Sequence, residues 1–100
     1  MHVIFYRTLR DFSESKPAYQ DLTQSVLAWF RHVDAAQWKS PAHVKVDLGT
    51  ASILRDGRVV FNLVGNKFRL VVWINYSHQL VYVRFIGTHK QFDQIDAQNI

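Results

Sequence analysis

From Arg58 to Ile86 the chain reads RVVFNLV, GN, KFRLVVWIN, YSHQ and LVYVRFI, and the spacing within these runs decides the fold. Arg58–Val64, Lys67–Asn75 and Leu80–Ile86 are rich in β-branched and aromatic residues and follow a period of two, which reads as three strands. Gly65-Asn66 joins the first two as a tight hairpin, with glycine first, as a type II′ turn requires. Tyr76-Ser77-His78-Gln79 joins the second to the third. The three runs therefore make an antiparallel meander.

Alternation sorts the side chains by face. In the second strand Phe68, Leu70, Val72 and Ile74 point toward a core, and Lys67, Arg69, Val71 and Trp73 point away. In the third, Val81, Val83 and Phe85 share the core face, leaving Tyr82, Arg84 and Ile86 on the other. If the four-residue loop sets the pairing, Asn75 lies opposite Leu80, Val71 opposite Arg84 and Arg69 opposite Ile86. Arg69 and Arg84 are then diagonal neighbours on one face. His89 falls beside the start of the second strand, near Lys67.

Before the meander, His2–Tyr6 is short and β-favouring and reads as a first strand. Thr8 is placed to cap a short helix that carries Leu9 and Phe12 inward. Pro17 suits a helix start, where its missing N–H costs nothing. Tyr19, Leu22, Val26, Trp29, Phe30 and Val33 then form one apolar stripe at helical spacing, a core face rather than a binding box. Ala35–Lys45 reads as irregular, and Ala51–Leu54 as one helical turn before the Asp56-Gly57 turn signal. Gly87-Thr88 ends the third strand, and Lys90–Asp96 reads as a short terminal helix. The expected class is α+β: an N-terminal strand and two helices packed on an antiparallel meander, with a short C-terminal helix.

One hundred residues, 48% of them hydrophobic, suffice for a single domain, 1–100, with one core. The absence of cysteine excludes a disulfide scaffold, a thiolate zinc site and a cysteine nucleophile. No apolar run approaches the about 20 residues of a membrane span. No signal-peptide pattern opens the chain, so a soluble cytoplasmic protein with no membrane partner is expected. Charge is informative by position. Residues 1–50 carry six basic and five acidic side chains, whereas residues 51–100 carry six and three. Between Gly57 and Phe92 there is no acid, while Arg58, Lys67, Arg69, Arg84 and Lys90 all fall there. Such a one-sign field suits an anionic partner.

The candidate surface follows from the faces. Lys67, Arg69, Arg84 and His89, with Lys90 adjoining, gather at one end of the sheet, bordered by Tyr82 and Trp73. Two guanidiniums side by side repel unless an anion separates them, so the arrangement calls for a phosphate-sized guest. Tyr82 and Trp73 add faces on which unpaired bases can stack. Singly, each of these residues reads as solvated surface; their conjunction without acids points to a site. The five histidines form no H-x-x-x-H pair, so no metal site is indicated. Glycine-rich phosphate loops and a G-x-S-x-G elbow are absent.

The stretch Val59-Val60-Phe61-Asn62-Leu63-Val64-Gly65-Asn66-Lys67-Phe68-Arg69-Leu70-Val71-Val72 resembles the signature of HigB-type toxins. So does Tyr82-Val83-Arg84-Phe85-Ile86-Gly87-Thr88-His89, followed by Phe92-Asp93 and Ile95-Asp96. The resemblance covers nearly the whole chain. It implies a RelE-like fold and the toxin of a type II toxin–antitoxin pair: a metal-independent, cofactor-free endoribonuclease that cuts mRNA, commonly on the ribosome, until a HigA-like antitoxin neutralises it. It also implies that Arg69 binds the scissile phosphate and His89 is catalytic, with Lys67 and Arg84 as basic positions. Family members usually carry tyrosine where this chain has Phe92, so more of the chemistry rests on His89.

RNA cleaves when its 2′-hydroxyl attacks the adjacent phosphorus. Arg69, with Lys67 or Arg84, suits the charge that builds up there, and His89 suits the proton transfers. A gyrase-inhibiting relative of the same fold and an RNA-binding module that does not cut are the alternatives; neither requires His89 beside Arg69. For the antitoxin, the sequence leaves two docking surfaces open: the basic face, or the Tyr19–Val33 helix.

Overall fold

The computed structural model describes all residues, 1–100. β3 (Arg58–Leu63), β4 (Phe68–Asn75) and β5 (Leu80–Thr88) form the expected meander. Gly65 takes φ +62° at the first central place of its turn, which Lys67 N closes by donating to Val64 O at 3.1 Å. Two edge strands complete the sheet in the order β1-β5-β4-β3-β2. β1 (His2–Ile4) runs parallel to β5, with Val3 beside Val81. The N-terminal ammonium donates to the carbonyls of Val33, Asp34 and Ala36 at 3.1, 3.2 and 2.6 Å, a cation at the C-terminal end of a helix.

Three local readings are corrected. Thr8 caps nothing: α1 spans Tyr6–Ser13, and Phe5, at φ 69°, turns the chain straight from β1 into the helix without a side-chain cap. Ala35–Lys45 is not all irregular, because α3 occupies Pro41–Asp47. Ser40 caps it by accepting from His43 N at 3.2 Å, and Pro41 takes the first helical place, where proline is favoured. Ala51–Leu54 is extended rather than helical. Ser52–Ile53 forms β2, paired with Val60 and Val59, and Ala51 is fully buried.

α2 (Gln20–Ala35) follows a 3-10 turn opened by Pro17 and buries Leu22, Val26, Trp29 and Val33 as the stripe requires. These meet Val59, Phe61, Leu63, Leu70, Val72 and Ile74 from the sheet in one core. Trp38 is fully buried, and its Nε1 donates to Asp47 Oδ2 at 2.9 Å. The same oxygen lies 2.7 Å from His32 Nε2. The indole bond first, then the imidazole, hold the Asp47 carboxyl below its ordinary value.

A carboxyl with a lowered folded value binds its proton more readily when unfolded, so stability rises with pH across its range. The Asp47 contribution is complete above the ordinary carboxylate value of 3.8 and disappears as pH falls through the lowered value. Asp47→Ala, which leaves the Trp38 N–H without its acceptor, is expected to cost about 1–3 kcal/mol near pH 7. Urea titrations of wild type and variant should show that gap narrowing below pH 4.

The register between β4 and β5 departs from the expected one. Asn75 pairs with Leu80 as anticipated, and step is kept to Val72 opposite Val83. Val71 then lies opposite Phe85 and Arg69 opposite Gly87, so Arg84 is an extra, bulged residue. A one-residue insertion reverses every later side chain. Phe85, expected in the core, turns to the outer face, and Ile86, expected outside, is buried in the core. The C-terminal helix α4 is His89–Phe92, earlier and shorter than Lys90–Asp96.

Candidate functional site

The outer face near the β3–β4 turn gathers the chemistry. Arg69 is half-buried on β4; its Nη1 donates to Asn66 O at 3.1 Å, and its guanidinium carbon lies 5.9 Å from the centre of the Phe92 ring. His89 begins α4, and its backbone N donates to Lys67 O at 3.0 Å. The structure thus brings His89 to the start of β4, as the sequence reading places it.

α4 is short but well fastened. The Thr88 hydroxyl accepts from Gln91 N at 3.2 Å, while Gln91 Oε1 accepts from Thr88 N at 2.8 Å. This reciprocal cap sets one helical turn against the strand end. From that turn Phe92 reaches beneath Arg69 and His89 projects with its side chain half in solvent. Lys67 and Lys90 flank it, both exposed.

Two expectations about this surface are corrected. Arg84 is not the diagonal neighbour of Arg69; the bulge gives that place to Phe85 and moves Arg84 one residue farther along β5, about 3.3 Å of strand. Arg84 is exposed at the bulge. Nor is the site free of acids. Asp93 follows α4 and brings Oδ2 to 3.1 Å from His89 Nδ1. A sequence window ending at Phe92 stops one residue short of it.

Tyr82 and Trp73 pair across the strands, with ring centres 5.2 Å apart. Trp73 Nε1 donates to Asp56 O at 2.8 Å, which fixes the indole. The pair lies four residues along β4 from Arg69, about 13 Å. A groove of about 310 Å³ lies elsewhere, between α2 and β3, and none of these residues lines it. The candidate surface is open, the form a polymer needs.

Phe85, Gly87, Phe92 and Asp93 complete the site. The T-x-x-Q cap and the aspartate four residues after His89 were readable signals; the roles of Phe85 and Gly87 depend on the bulge. A Cβ on Gly87 would lie 2.6 Å from Phe85 Cζ and 2.8 Å from Gln91 Oε1. Gly87→Ala should therefore displace the Phe85 ring and loosen the α4 cap, at a cost of about 1–3 kcal/mol. Thermal melting reads that cost directly, and a melting temperature equal to wild type would show that the ring moves freely.

The family model for the RelE-like toxic component of a toxin–antitoxin system, HigB_toxin, matches residues 22–95. The mRNA interferase toxin HigB of Escherichia coli strain K12 is 27% identical over 99 residues, covering 97% of this chain and 92% of the relative. The mRNA interferases HigB of Escherichia coli O157:H7 and Shigella flexneri match with the same 27% identity and coverage. The family match runs from the first turn of α2 through the strand that carries Arg69 to the segment after α4, and the α+β architecture agrees with a RelE-like fold. The chain belongs to the HigB toxin family.

Proposed function

We propose that this toxin, a single domain over residues 1–100, is an endoribonuclease that cuts mRNA in the cytoplasm, on the translating ribosome, and is neutralised by a HigA-like antitoxin. The observation that supports the reading is that Arg69, on β4, and His89, whose backbone N bonds Lys67 O, fall at the same end of β4 on an open, cation-rich face. The mRNA interferase relatives share that reading by name. Arg69 binds the scissile phosphate and stabilises the charge gained as the 2′-oxygen bonds to phosphorus. His89 serves the proton transfers, off the attacking 2′-hydroxyl and onto the 5′-oxygen released as its bond to phosphorus breaks. Lys67, Lys90 and Arg84 hold neighbouring phosphates, and Tyr82 with Trp73 stacks a flanking base. The protein's own side chains supply each of these roles, without a metal or cofactor.

The test is incubation of pure protein with translating ribosomes and, separately, with naked message, followed by mapping of the ends. A 2′,3′-cyclic phosphate and a 5′-hydroxyl are expected, and a single 2′-deoxy substitution at the cut should block it. Intact message held in a stable complex would make the protein a binder only. Cutting of naked RNA at the ribosomal rate would remove the ribosome from the reading.

A further inference from the structure

Along β3 the outer strand β2 stops short. Arg58 N donates to Arg55 O and Arg58 O accepts from Leu54 N, so Arg58, and by alternation Val60 and Asn62, turn their main-chain groups toward β2. β2 ends at the pairing of Ser52 with Val60. Asn62, two residues on, has neither its N–H nor its carbonyl paired. Open space lies along that edge, a hollow of about 410 Å³ bounded by Thr50, Asn62, Gly65 and Asn66. It adjoins the groove of about 310 Å³, which Trp29, Leu48, Phe61, Ala28 and Ser25 help to line. The buried indole N–H of Trp29 in this lining also lacks a partner.

We infer that this edge is where a partner's extended peptide segment adds to the sheet, pairing its main chain with Asn62 and placing one apolar side chain in the groove against Trp29. A strand supplies both an acceptor for the Asn62 N–H and a donor for its carbonyl, and its alternate side chains meet the groove. Apolar walls with a polar main-chain rim select an uncharged, β-favouring segment rather than an acidic one. The inference rests on the family assignment, which supplies an antitoxin as the partner. Of the two docking surfaces, it takes the α2 side, where the groove meets the β3 edge. None of Arg69, His89, Lys67 and Lys90 lines the groove or the hollow, although Asn66, at the rim of the hollow, accepts from Arg69 Nη1.

The probe is the cognate antitoxin, titrated against the toxin without RNA. Asn62→Pro removes the edge N–H while sparing the β4 hydrogen bonds, and Ala28→Phe fills the groove. Each variant is expected to bind about tenfold more weakly or worse. The Asn62 amide should exchange fast in the free toxin and slowly in the complex. Ala28→Phe should still cut RNA at the wild-type rate, which keeps this test separate from that of the cleavage site. Unchanged affinity of both variants overturns the inference. So does an Asn62 amide already protected in free toxin that sediments as a dimer, since a second copy would then hold the edge.

Discussion

Arg69→Ala is expected to cut RNA at least about 100-fold more slowly than wild type and to lose growth inhibition, with the fold kept. A cation already in place where charge develops is typically worth about 10²–10³ in rate. Asn66 O takes one guanidinium N–H, and the Phe92 ring supports the plane, so the remaining donors stay free for a phosphate. The half-buried stem makes some packing, so a loss of about 1 kcal/mol in stability is expected alongside. Arg69→Lys should also be impaired, because a point charge does not reproduce a bidentate grip. End-mapping and melting temperature measured on the same preparation separate the two effects. An Arg69→Ala protein that melts like wild type and cuts at full rate would remove Arg69 from the site.

His89→Ala is expected to slow cleavage by on the order of 100-fold, the usual worth of a positioned proton-transfer group. The imidazole is half exposed, and the bond from its backbone N to Lys67 O survives the change. Stability should therefore stay within about ±0.5 kcal/mol. The Asp93 carboxylate lies on the Nδ1 side of the ring, which leaves Nε2 for the substrate. With phenylalanine at position 92, no phenol is present there to share the task. Single-turnover cleavage across a pH series reads the loss, and a full-rate His89→Ala enzyme would place the proton transfer elsewhere.

The meander was legible because period-two alternation survives in Arg58–Leu63 and Phe68–Asn75, where every inward residue is apolar. The α2 stripe was legible for the same kind of reason. α3 was misread although Ser40-Pro41 is a good helix opening, because its single buried residue, Val44, leaves no stripe to count. β2 is two residues long, below what periodicity can detect. His89 was placed correctly beside Lys67 although the register used to place it was wrong by one. The expected third strand ended at Ile86, and the observed strand runs on through Gly87 and Thr88, so the bulge and the extension together deliver His89 to the same neighbour. Nothing in LVYVRFI marks Arg84 as the extra residue. Both Phe85 and Ile86 are apolar, and either fills a core position.

The insertion at Arg84 makes β5 a strand of two phases. From Leu80 to Val83 it keeps time with the hairpin loop; from Phe85 onward it runs one beat ahead. A homologue lacking that one residue would close the same hairpin and fill the same core as far as Val83. With Arg84 gone, Phe85 would follow Val83 directly and still face Val71, so Gly87, Thr88 and His89 would keep their places against Arg69, Phe68 and Lys67. The insertion is therefore a side loop on an otherwise continuous ladder, and what it adds to this end of the molecule is one more cation held out in solvent.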